Sequence, residues 1–296
     1  MQKNARIFLG LLLVFSALGL LLRRVELNTC LDRSTMLMDF HPVSALLLAL
    51  SVLAAAVFFL LGRTWLSGKE TAEYGRVFHG KGLLAAAAVV LLLMLAGSLL
   101  CLRSWKTASG PERLFPAILA LLGVLAGAGW FTLALEALRG GKGRYSGAVL
   151  PVLFAAFFLV AFYKTYAHQP ALLYTLYPFL GLCCALAALH LAAGFTVGKY
   201  RARWTFFFSG LGTVLCAVSI LSAPDTAHKL FFAALTLMLA AQGVCLLQPH
   251  RPLPPAKETD GYAEKAETES EEAKAEGKAA SDWTAPEPWD EENSKE

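Results

Sequence analysis

Charge is scarce in this chain. Of its 296 residues only 16% are Asp, Glu, Lys or Arg, whereas 56% are hydrophobic and the mean hydropathy is +0.54. A soluble domain carries about 25% charged and about 45–50% apolar residues. A chain of this size also needs a polar surface that so few charges cannot supply. An ordinary cytosolic enzyme, a collagen-like chain and a fully disordered chain are all excluded. Metal-ligand spacing is missing too, since no Cys-x-x-Cys and no His-x-x-x-His occurs. Cys183 and His190 share a helix face but stand ~10 Å apart along the axis, too far for one ion with ligands at ~2.0–2.3 Å. The six cysteines therefore read as small buried hydrophobes. No metal and no cofactor is expected.

What is present is one repeated theme: a long apolar run, then a short polar loop. A helix rises ~1.5 Å per residue, so ~20 apolar residues cross a ~30 Å hydrocarbon core. Eight such spans are expected, at Ile7–Leu22, Val43–Leu61, Leu83–Leu102, Phe115–Leu138, Ala148–Ala167, Ala171–Val197, Trp204–Leu221 and Lys229–Leu247. Length carries this reading, because the runs are apolar all round and show no useful period. Strands of a membrane barrel would be ~10 residues long with alternating polarity, so the fold class is an all-α integral membrane bundle over residues 1–250. Pro42 and Pro116 open spans, where a missing N–H costs nothing. Pro178 lies two turns inside its span and is expected to kink it. The first span resembles a signal peptide in its Lys3 and Arg6, but Leu21-Leu22-Arg23-Arg24 supplies no small-residue cleavage site. Retention as a helix is expected.

Residues 251–296 are a different object. They hold six basic and fourteen acidic side chains, net −8, which leaves +12 on residues 1–250 of a chain whose total is +4. Opening on Arg251-Pro-Leu-Pro-Pro and running through Ala, Glu, Lys, Thr and Ser, they cannot bury enough apolar area to offset chain entropy. A disordered acidic tail is expected. Trp283 and Trp289 are its two tryptophans, set among acidic residues as a candidate motif for a cytoplasmic protein partner.

Lys and Arg in short loops set orientation. With the N-terminus inside, segments 1–6, 62–82, 139–147 and 198–203 hold 12 basic residues, against 8 in the outer segments and adjoining helix ends, Arg23 and Arg24 among them. Both termini are thus expected in the cytoplasm of a plasma-membrane protein. Anionic lipids are expected at the inner basic loops, with the tail in loose, salt-sensitive association with the same loops. Nucleic acid is not an expected partner. Cys30 and Cys101, the two cysteines placed at the outer surface, form a candidate disulfide.

Candidate chemistry is thin. Gly75 to Gly82 has the glycine and lysine spacing of a phosphate loop, but Gly82 stands where Ser or Thr must hold Mg²⁺ and no strand precedes it. It reads as a flexible basic loop. Polar residues inside the spans are few, and such residues are costly in lipid. Glu136 is placed to pair with Arg139 three residues on, Lys164 to snorkel, and His190 and Gln242 to hydrogen-bond across helices, to backbone or to each other. Gly123 and Gly127 form a close-packing pair, with Gly129 beside them, and Gly210 and Gly212 form another. Trp65, Trp105, Trp204, Tyr163, Tyr166, Tyr174 and Tyr177 fall at span ends, as interfacial aromatics do. No catalytic residue stands out. A non-enzymatic accessory or scaffold membrane protein is the leading reading. A carrier for a small or apolar solute, using His190, Gln242 and Pro178, is the second, and a membrane-embedded enzyme the third.

Overall fold

The computed structural model describes residues 3–30, 41–66, 74–107, 114–139, 143–166 and 172–249. They form nine α-helices and no strand among the described residues: α1 (Lys3–Thr29), α2 (Pro42–Trp65), the single turn α3 (Tyr74–Val77), α4 (Lys81–Thr107), α5 (Leu114–Arg139), α6 (Tyr145–Tyr166), α7 (Leu172–Gly194), α8 (Ala202–Ser222) and α9 (Thr226–Leu247). A 3₁₀ turn, Phe195–Val197, extends α7. Eight of the nine are long and apolar enough to cross a membrane. The shortest of these eight, α8, has 21 residues, about 31 Å at helical rise. The chain is an all-α, multi-pass membrane protein. The tail at 251–296, with Trp283 and Trp289, lies outside the described residues.

Local chemistry sets the helix starts. Pro42 begins α2 directly after His41, whose ring accepts from Val43 N at 3.4 Å. Asp225 caps α9, its Oδ1 accepting from His228 N at 2.8 Å, a bond that satisfies one of the free amides of the first turn. Pro151 and Pro178 both lie inside continuous helices. Pro151 has no N–H for the carbonyl of Gly147, and that oxygen lies 2.9 Å from where a Cβ on Gly129 would stand. Two glycines thus let α5 and α6 meet backbone to backbone.

Helices α4 to α9 pack in chain order, and α9 returns onto α4 to close a ring. Helices α1 and α2 pack on each other and on α8 from outside it. Inside the ring, Phe154, Phe158, Phe231 and Phe232 are fully buried. Their neighbouring ring centroids lie 5.2–5.8 Å apart, within the range of favourable aromatic pairs. Phe231 of α9 reaches between α4 and α5 because two of its neighbours lack side chains. A Cβ at Gly97 would come within 2.7 Å of its ring, and one at Gly123 within 3.1 Å. The same device joins the outer pair: Phe8 of α1 fills the space over Gly243, and Phe58 of α2 the space over Gly210. Lipid gives helices no hydrophobic reason to associate, so such fitted contacts supply the drive.

One boundary differs from the sequence expectation in a way that matters. Helix α1 runs to Thr29 instead of ending near Leu22, so Arg23 and Glu26 are helical and fully buried. Arg23 is not an outer-loop charge. It continues the helix because its guanidinium finds an anion one turn on.

Candidate functional site

Among the described residues the buried side chains include one ion pair and one amide, placed toward opposite ends of the bundle. At the end where α1 finishes, Arg23 Nη1 meets Glu26 Oε2 at 2.6 Å with both side chains 0% exposed. Arg23 Nε donates to Ser222 Oγ at 2.7 Å, and its guanidinium carbon lies 5.1 Å from the Tyr177 ring centroid. One side chain therefore ties α1 to the last residue of α8 and to the second turn of α7. Burying two charges carries a large desolvation cost, which is recovered only with close geometry and further hydrogen bonds. Arg23 has those, whereas Glu26 Oε1 accepts no hydrogen bond. With no exposed atom, the pair is built to hold helices. Tyr177 is consequently buried under Arg23, not set at the interface as a span-end aromatic.

Toward the other end lies a cavity between α5, α6, α7 and α9, of about 10 Å³. Trp130 and Leu133 of α5, Pro151 of α6, Leu189 of α7 and Gln242 of α9 line it, with Tyr74 of α3 at its edge. Tyr74 stacks on Phe78 at 4.6 Å. Its hydroxyl is held far above the ordinary tyrosine value of 10.0, first by burial and then by Cys245 and Glu136, so it remains a neutral phenol. Gln242 is 3% exposed, and its Oε1 has no hydrogen-bond partner.

The structure does not join the remaining sequence candidates into a site. His190 and Gln242 are not paired: His190 is exposed on the outer face of α7, while Leu189, Ala192 and Ala193 turn toward Gln242. One residue of offset, about 100° on a helix, separates the two faces. Glu136 pairs with Arg144 instead of Arg139. Its Oε2 accepts from Arg144 N at 2.7 Å and its Oε1 lies 3.4 Å from Arg144 Nε, so this carboxylate fastens the α5–α6 connection. Cys30 and Cys101 are buried free thiols, and the other cysteines are free as well, with Cys183 half-buried and Cys184, Cys216 and Cys245 buried. The disulfide is not formed, because α1 packs on α2 and α8 while α4 packs on α5 and α9. Lys164 lies with Nζ 4.0 Å from the Phe115 ring centroid, which satisfies an outward-reaching cation locally. Among the described residues no group of three or more His, Cys, Asp and Glu is placed to hold a metal ion.

The Arg23–Glu26 pair escaped the sequence reading, although a signal existed. The i,i+3 spacing used for Glu136 and Arg139 is present in Arg23-Arg24-Val25-Glu26. An apolar run that ends on two arginines nevertheless reads as a helix stop. The arrangement defines a tightly packed polytopic membrane protein. No family model matches the chain, and no curated protein and no solved structure matches it either.

Proposed function

We propose that this protein is a non-enzymatic accessory or scaffold component of the plasma membrane, with both termini in the cytoplasm. The observation that carries this reading is the filled interior: interlocked phenylalanines occupy the ring, and the cavity beside Gln242 has room for about one water. Such a core suits a rigid body that positions other components. The acidic tail and its two tryptophans serve in this reading as the handle for a cytoplasmic protein.

Charge placement supports the orientation. Lys3, Arg6, Arg63, Lys81, Arg139, Arg144, Lys199, Arg201 and Arg203 are exposed at the end that carries the N-terminus of α1. Arg24, Arg103, Lys164 and Lys229 are exposed at the opposite end. With Arg23 buried, the asymmetry is sharper than loop counting gives, and it favours the N-terminal end as cytoplasmic. Anionic headgroups are the expected neighbours of that basic rim, at about 1 kcal/mol per cation near the surface.

Affinity capture from solubilised membranes, with the full chain and with a chain ending at His250, tests the reading. A defined protein set recovered only with the full chain supports it. Equal recovery by both removes the tail as a handle. A carrier is the second reading, favoured by the unpartnered amide oxygen of Gln242 in its cavity. Time-dependent counterflow of a small solute by the purified chain in liposomes would replace the scaffold with that reading.

A further inference from the structure

We infer that the cavity beside Gln242 is a binding site for one neutral, water-sized molecule that donates a hydrogen bond to the amide oxygen. Water and ammonia share that chemistry. The inference stands on the cavity alone and holds whether the protein proves a scaffold or a carrier.

Three observations lead to it. The first is the amide itself. Gln242 is 3% exposed, with Oε1 lacking any hydrogen bond, and native interiors pair such groups with protein or with a bound small molecule. The second is size. A cavity of about 10 Å³ matches the room one water needs, and excludes a sugar, an amino acid or a nucleotide. The third is the wall. Trp130, Leu133, Pro151 and Leu189 are aromatic or aliphatic, no charged side chain joins them, and Tyr74 is a neutral phenol. An ion entering such a lining would lose its hydration without a counter-charge. A neutral molecule would lose little and gain the amide.

One wall of the cavity is held by a dedicated seat. Tyr74 comes from a single helical turn, and its ring rests where a side chain on residue 143 would otherwise lie. A Cβ on Gly143 would stand 2.9 Å from that ring. Gly143 also has φ +79°, a conformation that side chains other than glycine's adopt with strain. The seat of Tyr74 is thus made by a residue that has both the space and the backbone geometry for it.

The side chains of glutamine provide the test. The chain has four glutamines, Gln2, Gln169, Gln242 and Gln248, so the full-length protein in lipid nanodiscs, labelled with ¹⁵N at the glutamine amides, gives few side-chain signals. Gln242→Leu identifies the relevant pair. A rotating-frame Overhauser peak to water, whose sign separates contact from proton exchange, is expected for Gln242 if water occupies the site. A shift of that pair on adding ammonium chloride at alkaline pH, absent with the same salt at acid pH and with sodium chloride, identifies ammonia. Ala192→Leu fills the cavity and should abolish either response. Ala193→Val is the gentler substitute if the first fails to fold. A Gln242 pair with neither a water contact nor an ammonia shift, in a folded protein, overturns the inference.

Discussion

Helices α2 and α8 touch each other, yet they solve opposite problems. Helix α2 is among the most apolar of the eight crossing helices, and only 22% of its span is buried within the protein. Helix α8 is the least apolar of them, and 72% of its span is buried. In a soluble protein the order would be reversed, because there the apolar helix goes inside. In lipid the apolar helix already has its solvent, and what needs the interior is the residue lipid serves poorly. Helix α8 accordingly buries Thr205, Ser209, Thr213, Ser219 and Ser222. Its hydroxyls at Thr213 and Ser219 donate to the carbonyls four residues back, at 2.6 and 2.7 Å. Small and hydroxylated residues share the buried surface of α8 with Phe206, Val214 and Leu215.

Helix α1 is the exception that tests this contrast most severely. It is mostly lipid-facing, with 28% of its span buried, but it carries the one fully buried ion pair found among the described residues. Glu26→Ala, which leaves the Arg23 charge without its carboxylate, should lower stability by about 3–5 kcal/mol. Replacing both, as Arg23→Met with Glu26→Leu, should recover most of that loss. Chemical unfolding in mixed micelles measures both. A double variant as damaged as the single one would show that the charges do more than hold each other.

The next contrast is between glycines that face protein and one that faces lipid. Gly243→Val in α9 drives its Cβ to within 2.6 Å of the Phe8 ring, and Gly210→Ala in α8 to within 2.8 Å of Phe58. Overpacking of that kind costs about 1–3 kcal/mol. Gly10→Ala in α1, with no atom within 4 Å of its new methyl, should be neutral or gain up to about 1 kcal/mol from helix propensity. Thermal unfolding in nanodiscs should rank the three in that order.

A smaller effect sits at the α8–α9 turn. Burial raises the Asp225 pKa, but the His228 side chain, its charge and the backbone amides of His228 and Ala227 outweigh this and bring it below the ordinary 3.8. A depressed carboxylate contributes stability that is complete above the unfolded value and is lost as pH falls through the folded one. Asp225→Ala should therefore cost about 1 kcal/mol near neutral pH. The difference from the parent chain should close only at pH below 3.8. The smallest effect is expected at His190, exposed on α7: His190→Leu should change stability by no more than about 0.5 kcal/mol.

The spans were legible in the sequence because length is a one-dimensional property. The expected Phe115–Leu138 and the observed Leu114–Arg139 differ by one residue at each end, and the last span ends at Leu247 in both. Which side of each helix faces inward was not legible, because a helix that is apolar all round carries no period to read. That is why the sequence leaves His190 and Gln242 with two partners each, backbone or one another, and does not show that His190 faces outward. Gly123 and Gly127 were correctly marked as a packing face, since small-residue spacing is written in the sequence, and both lie against α4. What glycine spacing does not reveal is the side chain that fills the gap, here Phe231 over Gly123. The cavity needed a four-residue turn, α3, to bring Tyr74 alongside four other helices. No local pattern announces a contact of that range.

Burial runs against apolarity in this bundle. The most direct test needs no substitution: label the native chain in lipid nanodiscs with a photoactivated carbene reagent dissolved in the bilayer, and map modified residues by mass spectrometry. Heavy labelling is expected on α1 and α2, at exposed positions such as Leu13, Val52 and Leu60, and little on Val214, Leu235 or Met238 of α8 and α9. Equal labelling of α2 and α8, or heavier labelling of α8, would contradict it.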